Sequence, residues 1–159
     1  VAAGLSGMRA VAGRLQFRQA TSGAWLIDDS YNANPSSVRA AIDVLADLGG
    51  RRWLVLGDMG ELGDFAAGSH RDAGRFARAR GGERLYAHGP LAALAAREFG
   101  SGAQCFESAE PLVRALQAEL GPDVRLLIKG SRLNRLERVV AALTGADAAA
   151  ATSLAQKAG

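Results

Sequence analysis

The chain has 159 residues, 48% of them hydrophobic, with a single cysteine and a formal net charge of +3. That length buries one core without covalent staples, while the lone Cys105, expected as a small buried strand residue, excludes an internal disulfide and a cysteine-built zinc site. No run reaches the ~20 apolar residues of a membrane span, and 19 basic residues lie interspersed with 16 acidic ones among only nine aromatics, a pattern that speaks against nucleic-acid and membrane partners and for a small anion.

Residues 1–13, glycine-rich and without apolar period, read as a linker from something upstream, and 14–144 as the domain proper. Leu15 to Ala20 alternates apolar and polar, Thr21-Ser22-Gly23 is a turn, and Trp25-Leu26-Ile27 reads as a short buried strand, so a hairpin or edge pairing opens the domain. From Pro35, apolar residues at Val38, Ala41, Ile42, Leu45 and Leu48 predict a helix with one buried face that closes at Gly49-Gly50. Arg51 to Gly57 is a continuous apolar strand after its two arginines, of the kind covered on both faces. The unit then repeats: a helix over Ser69–Arg80, a strand over Arg84–Ala87, a helix over Leu91–Phe99, a short strand over Gln104–Phe106 and a helix over Ser108–Leu120. Val124 to Ile128 is the last strand, followed by the loop Lys129-Gly130-Ser131-Arg132 and a helix ending near Leu143. Strands alternating with helices specify an α/β fold, a Rossmann-like open and mostly parallel sheet with helices on both faces. Residues 145–159, with seven alanines, read as a disordered tail, and the whole is expected to be a cytoplasmic monomer.

The stretch Asp28-Asp29-Ser30-Tyr31-Asn32-Ala33-Asn34-Pro35 masses polar groups at a strand's carboxyl end, where open parallel sheets bind ligands. A helix cap explains one or two of these side chains; the acid pair and the remaining density favour a ligand site. Gly57-Asp58-Met59-Gly60-Glu61-Leu62-Gly63 occupies the place of a dinucleotide fingerprint but spaces its glycines wrongly and carries acids that repel a pyrophosphate, which excludes a nicotinamide-dependent oxidoreductase. It reads as a tight turn, or as a loop turning its acids toward a cation, an amine or water. No phosphate-cradling Gly-x-x-x-x-Gly-Lys-Ser/Thr loop occurs. His70 and His88 stand at no metal spacing and read as surface or capping residues. Lys129-Gly130-Ser131-Arg132 directly follows the last strand, so its cations and the amides opening the next helix converge on the same edge, and an ammonium at the end of an apolar run needs a partner.

Taken together, Gly13-Arg14-Leu15-Gln16, Asp28 to Pro35, Gly57 to Gly63 with His70, and Lys129 to Arg132 resemble the C-terminal domain of the Mur ligases, in the family's order and across the domain. The resemblance implies an ATP-dependent amide ligase of peptidoglycan synthesis, with Mg2+, that activates UDP-N-acetylmuramoyl-tripeptide as an acyl phosphate and couples it to D-alanyl-D-alanine. The nucleotide and metal would be held mainly by upstream domains of the same chain. It further implies Arg14 and Lys129 as catalytic cations, Arg14, Asp28, Asp29, Asn32 and Asn34 as contacts to ATP, and Lys129, Ser131 and Arg132 as contacts to the dipeptide, with no metal ligands here. Two alternatives compete: a phospho-accepting receiver module using Asp28, Asp29, Asp58 and Lys129, and the third domain of a folylpolyglutamate synthase-like ligase.

Overall fold

The computed structural model describes residues 15–146. Arg14, the expected linker and almost all of the expected tail lie outside these residues. Among the described residues six strands and five helices follow one another: β1 (Gln16–Gln19), β2 (Trp25–Asp29), α1 (Pro35–Asp47), β3 (Arg51–Gly57), α2 (Ala66–Ala79), β4 (Arg84–His88), α3 (Ala92–Phe99), β5 (Ala103–Phe106), α4 (Ala109–Glu119), β6 (Val124–Lys129) and α5 (Glu137–Thr144). They form one sheet in the order β1-β2-β6-β3-β4-β5. Strand β1 runs antiparallel to β2 and every other pairing is parallel.

Alternation along the strands divides the core into two layers. Ile27, Leu54, Leu56, Leu85, Ala87 and Leu127 point to one face and pack with α1, α2 and α3. Leu26, Trp53, Val55, Tyr86, Leu126 and Ile128 point to the other and pack with α4 and α5. Strands β3 and β6 lie in the middle, which is why their sequences are apolar without alternation. Gly74 lets α2 and α3 touch, because a Cβ there would collide with the Ala95 carbonyl.

Three expectations change. Trp25 is 38% exposed, since it starts β2 opposite Gln19 at the antiparallel margin and only Leu26 and Ile27 are drawn fully into the two layers. Cys105 is exposed because β5 is the outermost strand. Helix α2 begins at Ala66 rather than Ser69, fed by a 3-10 turn over Gly63–Phe65.

Candidate functional site at the carboxyl edge of the sheet

Strands β2 and β6 are neighbours, with Asp29 in register with Lys129, so the two polar loops that follow them meet. The acid pair does not face itself. Successive strand residues project to opposite faces, and each carboxylate finds its own cation. Asp28, 3% exposed, accepts from the Ser30 hydroxyl at 2.6 Å and pairs with Arg18 Nε at 3.3 Å. Asp29 accepts from Lys129 Nζ at 2.6 Å and from the Leu15 amide at 3.2 Å. Lys129, 2% exposed, gives a second hydrogen bond to the Asn32 carbonyl at 3.0 Å. The partner that its ammonium required is therefore within the chain, and the pair survives burial because both charges are hydrogen-bonded.

Asn32 turns its side-chain oxygen to the Ala33 amide at 2.9 Å. Asn34 is a helix cap: its Oδ1 accepts from the Ser37 amide at 2.9 Å while the Ser37 hydroxyl accepts from the Asn34 amide at 3.0 Å, with Pro35 opening α1. Capping thus accounts for Asn34. Ser131 donates its amide to the Asp58 carbonyl at 3.1 Å.

Arg132 is placed differently. Its guanidinium lies 5.0 Å from the centre of the Tyr31 ring, a cation–π distance, and both residues line a groove of about 430 Å³ together with Arg18, Arg135, Val140 and Ala141. Among the described residues neither Arg132 nor Arg135 places its guanidinium in a hydrogen bond or ion pair. The groove also holds Asp28 and Glu137, so three cations face two acids and the balance favours an anion.

The glycine-bearing loop after β3 has other work. Asp58 accepts from the Ala92 amide at 2.7 Å at the start of α3, which satisfies an orphan donor and suits the helix dipole. Gly89, at φ +110°, leaves room for that carboxylate, since a Cβ there would sit 2.5 Å from Asp58 Oδ1. His70 is fully buried rather than at the surface. Its Nε2 accepts from the Met59 amide at 2.9 Å and its Nδ1 lies 2.6 Å from the Ala66 carbonyl, the tautomer with its proton on Nδ1. His88 is half-buried with Nδ1 3.4 Å from Asn134 Oδ1.

Asn134 is the residue that motif reading missed. Its Oδ1 accepts from the Asp58 amide at 3.1 Å, and its Nδ2 reaches the Asp58 carbonyl at 2.8 Å and the Ser131 hydroxyl at 3.0 Å. One side chain joins the loops after β3 and β6. The only trace in the sequence is glycine: a Cβ at Gly57 would lie 2.6 Å from Asn134 Cγ, and one at Gly130 would lie 3.0 Å from its Nδ2. With Asp58 turned to α3 and Lys129 paired to Asp29, the arrangement does not favour a receiver module. Among the described residues no group of three His, Cys, Asp or Glu is placed to hold a metal ion, and no helix is long and apolar enough to cross a membrane.

The model of the Mur ligase, glutamate ligase domain, matches residues 13–132. The chain is 38% identical over 145 residues to UDP-N-acetylmuramoyl-tripeptide–D-alanyl-D-alanine ligase of Escherichia coli, covering 90% of this chain and 32% of that protein. It is 33% identical to the protein of the same name from Bacillus subtilis, covering 87% and 32%. Among solved structures it is similar to MurF from Acinetobacter baumannii, with a TM-score of 0.77 at 33% identity, covering 90% of this chain and 33% of that one. MurF ligase from Thermotoga maritima in complex with ADP also gives 0.77, at 25% identity, covering 87% and 32%. A bifunctional folylpolyglutamate synthase/dihydrofolate synthase from Yersinia pestis shares the fold at 23% identity and a TM-score of 0.60, covering 84% of this chain and 32% of that one. The chain spans about a third of the length of the curated relatives it matches.

Proposed function

This chain belongs to the Mur ligase family, and from that membership we propose that it serves as the C-terminal domain of an enzyme that joins D-alanyl-D-alanine to UDP-N-acetylmuramoyl-tripeptide at the expense of ATP. In the proposed reaction the tripeptide carboxylate takes the γ-phosphoryl group of ATP, releasing ADP. The dipeptide amine then attacks the acyl phosphate, phosphate leaves, and the amine proton is lost as the amide forms. Mg2+ would be held mainly by other domains of the enzyme, and this domain would contribute cations, amides and the exclusion of water as it closes over the reacting groups.

The observation that carries this reading is the arginine groove at the carboxyl edge of β2 and β6. Arg132, with Arg135 beside it, provides a guanidinium fork suited to the dipeptide's terminal carboxylate, and the apolar side at Val140 and Ala141 suits its methyl groups. Ser131 stands at the mouth of the same loop. Arg14 is assigned to the ATP phosphates, and Asp28 and Asn32 to the nucleotide's sugar side.

Steady-state kinetics of the complete protein test the division. Arg132→Ala is expected to raise KM for the dipeptide and to cost about 2–4 kcal/mol in kcat/KM, the scale for truncating one partner of a desolvated charge pair, with KM for ATP little changed. Arg14→Ala is expected to depress turnover and leave dipeptide affinity intact. An Arg132→Ala enzyme impaired only toward ATP, or wild-type constants in both variants, would remove the assignment.

A further inference from the structure

The groove beside Tyr31 carries more than a place for a negative charge. Among the described residues its charged side chains are Arg18, Asp28, Arg132, Arg135 and Glu137. Two of them offset each other: Arg18 Nε pairs with Asp28 at 3.3 Å, and Asp28 is held further by the Ser30 hydroxyl at 2.6 Å. That leaves Arg132, Arg135 and Glu137, and among the described residues none of the three places its charged group in a hydrogen bond or ion pair. The backbone keeps them from neutralising one another. Arg132 opens a 3-10 turn, Arg135 closes it in the left-handed conformation at φ +51°, and Glu137 begins α5. A left-handed arginine is uncommon, and strained residues of this kind gather at ligand clamps.

Helix α5 adds a stripe to this arrangement. Glu137, Val140, Ala141 and Thr144 follow one another at spacings of three and four, so they share one helix face, and all four line the groove. The carboxylate thus stands about one helical turn, roughly 5 Å along the axis, from the apolar pair. An inorganic anion would gain nothing from Glu137 and would be repelled by it. A molecule with an anionic end, an ammonium end and small alkyl groups between them uses all of these side chains.

We infer that Glu137 is a specificity-determining residue of this groove, which takes the dipeptide as a zwitterion: Arg132 and Arg135 hold the carboxylate, Glu137 holds the amino-terminal ammonium, and Val140 and Ala141 meet the alkyl groups between. The inference rests on the reading of the groove as the dipeptide site and adds the recognition of its amino end. An α-amino group with a pKa of about 8 is mostly protonated at neutral pH, so the ammonium is the form that arrives. The amine that attacks has already given that proton to solvent and no longer carries a charge for the carboxylate to hold. The effect of Glu137 therefore falls on dipeptide affinity rather than on turnover.

The test uses the complete protein with D-alanyl-D-alanine and with N-propionyl-D-alanine, in which hydrogen replaces the amine and the carboxylate is kept. In wild type, Ki for the propionyl compound is expected to lie about tenfold above KM for the dipeptide, the scale of one charge-assisted hydrogen bond. In Glu137→Gln, KM for the dipeptide should rise about tenfold, while Ki for the propionyl compound does not rise and KM for ATP is unchanged. Raising the pH through the amine's pKa removes the ammonium, so the ratio of the two constants in wild type should fall toward that of Glu137→Gln.

A dipeptide KM unchanged in Glu137→Gln, or a wild-type ratio that does not move with pH, overturns the inference. So does an equal weakening of both compounds in Glu137→Gln, which is what a merely structural role at the start of α5 would give. The ratio does not depend on the fraction of enzyme folded, so it decides the matter even if Glu137→Gln melts early. Arg132→Ala keeps the two failures apart, since it should weaken both compounds alike. If it weakens neither, the groove is not the dipeptide site and the underlying reading fails; if it weakens both while Glu137→Gln changes nothing, only the role of Glu137 falls.

Discussion

The carboxyl edge of the sheet has two halves that look alike as sequence and differ in what their polar groups do. The half after β3 and β4 carries Asp58, His70, His88 and, facing them, Asn134. Nearly every polar atom there is spent on the chain itself: Asp58 on the start of α3, His70 on Met59 and Ala66, Asn134 on Asp58 and Ser131. The half after β2 and β6 also satisfies its carboxylates internally, yet leaves Arg132 and Arg135 at a groove with an aromatic ring and an apolar wall. Polar density alone therefore does not mark a site. A guanidinium held by no hydrogen bond or ion pair, beside a space of ligand size, is the better candidate.

The largest effect that would sharpen this contrast is on Asn134. Asn134→Ala strands the Asp58 amide, at ~1–3 kcal/mol for a donor buried without a partner, and takes one of two donors from the Asp58 carbonyl, which keeps the Ser131 amide. We expect a loss of about 3 kcal/mol and a melting point lower by about 10 °C, with dipeptide KM in the complete protein unchanged. A double-mutant cycle with Gly57→Ala locates the effect. The added methyl collides with Asn134 Cγ, so Gly57→Ala should cost much less in the Asn134→Ala background than in wild type. Additive costs would mean that the glycine is there for another reason.

Asp58 comes next. If its carboxylate serves only α3, Asp58→Ala should lose about 1–2 kcal/mol in thermal unfolding. Asp58→Asn, which keeps an acceptor, should lose less than half of that, and both should retain turnover in the complete protein in proportion to folded enzyme. Loss of turnover in Asp58→Asn at unchanged stability would show that this half of the edge also binds a ligand, and the contrast between the halves would break.

The fold was legible because hydrophobic period reports burial directly. The runs Arg51–Gly57 and Val124–Lys129 lie at the sheet centre, and the mostly polar Gln16–Gln19 lies at its antiparallel margin, as their compositions require. Exposure at the sheet's outer parts was not legible. Cys105 and Trp25 are apolar types, and only their places in the sheet reveal that each stays accessible to solvent. The candidate site was legible as a cluster of polar groups and less so as a set of partners. The run Asp28 to Pro35 announces polar groups at a strand end, but which of them meet a partner depends on residues about a hundred positions away, as with Asp29 and Lys129. Asn134 had no signal of its own, since an asparagine in a polar turn is ordinary and its importance comes from the loop it touches.

The smallest effect divides the two readings of Asn34. As a capping residue it satisfies the Ser37 amide with its Oδ1 and donates its own amide to the Ser37 hydroxyl, so Asn34→Ala should destabilise the chain by about 1 kcal/mol. A serine at this position can make the same cap, and Asn34→Ser should restore most of that loss. A nucleotide contact makes the opposite demand. Serine is too short to reach where the asparagine amide reaches, so the enzyme would keep its stability and still show a raised KM for ATP. We expect stability and KM for ATP both to return to near wild type in Asn34→Ser, because Oδ1 also accepts from the Ser36 hydroxyl at 2.9 Å and has little capacity left for a third donor. A raised KM for ATP in Asn34→Ser at wild-type stability would return Asn34 to the ligand set and extend the binding half of the edge to the first turn of α1.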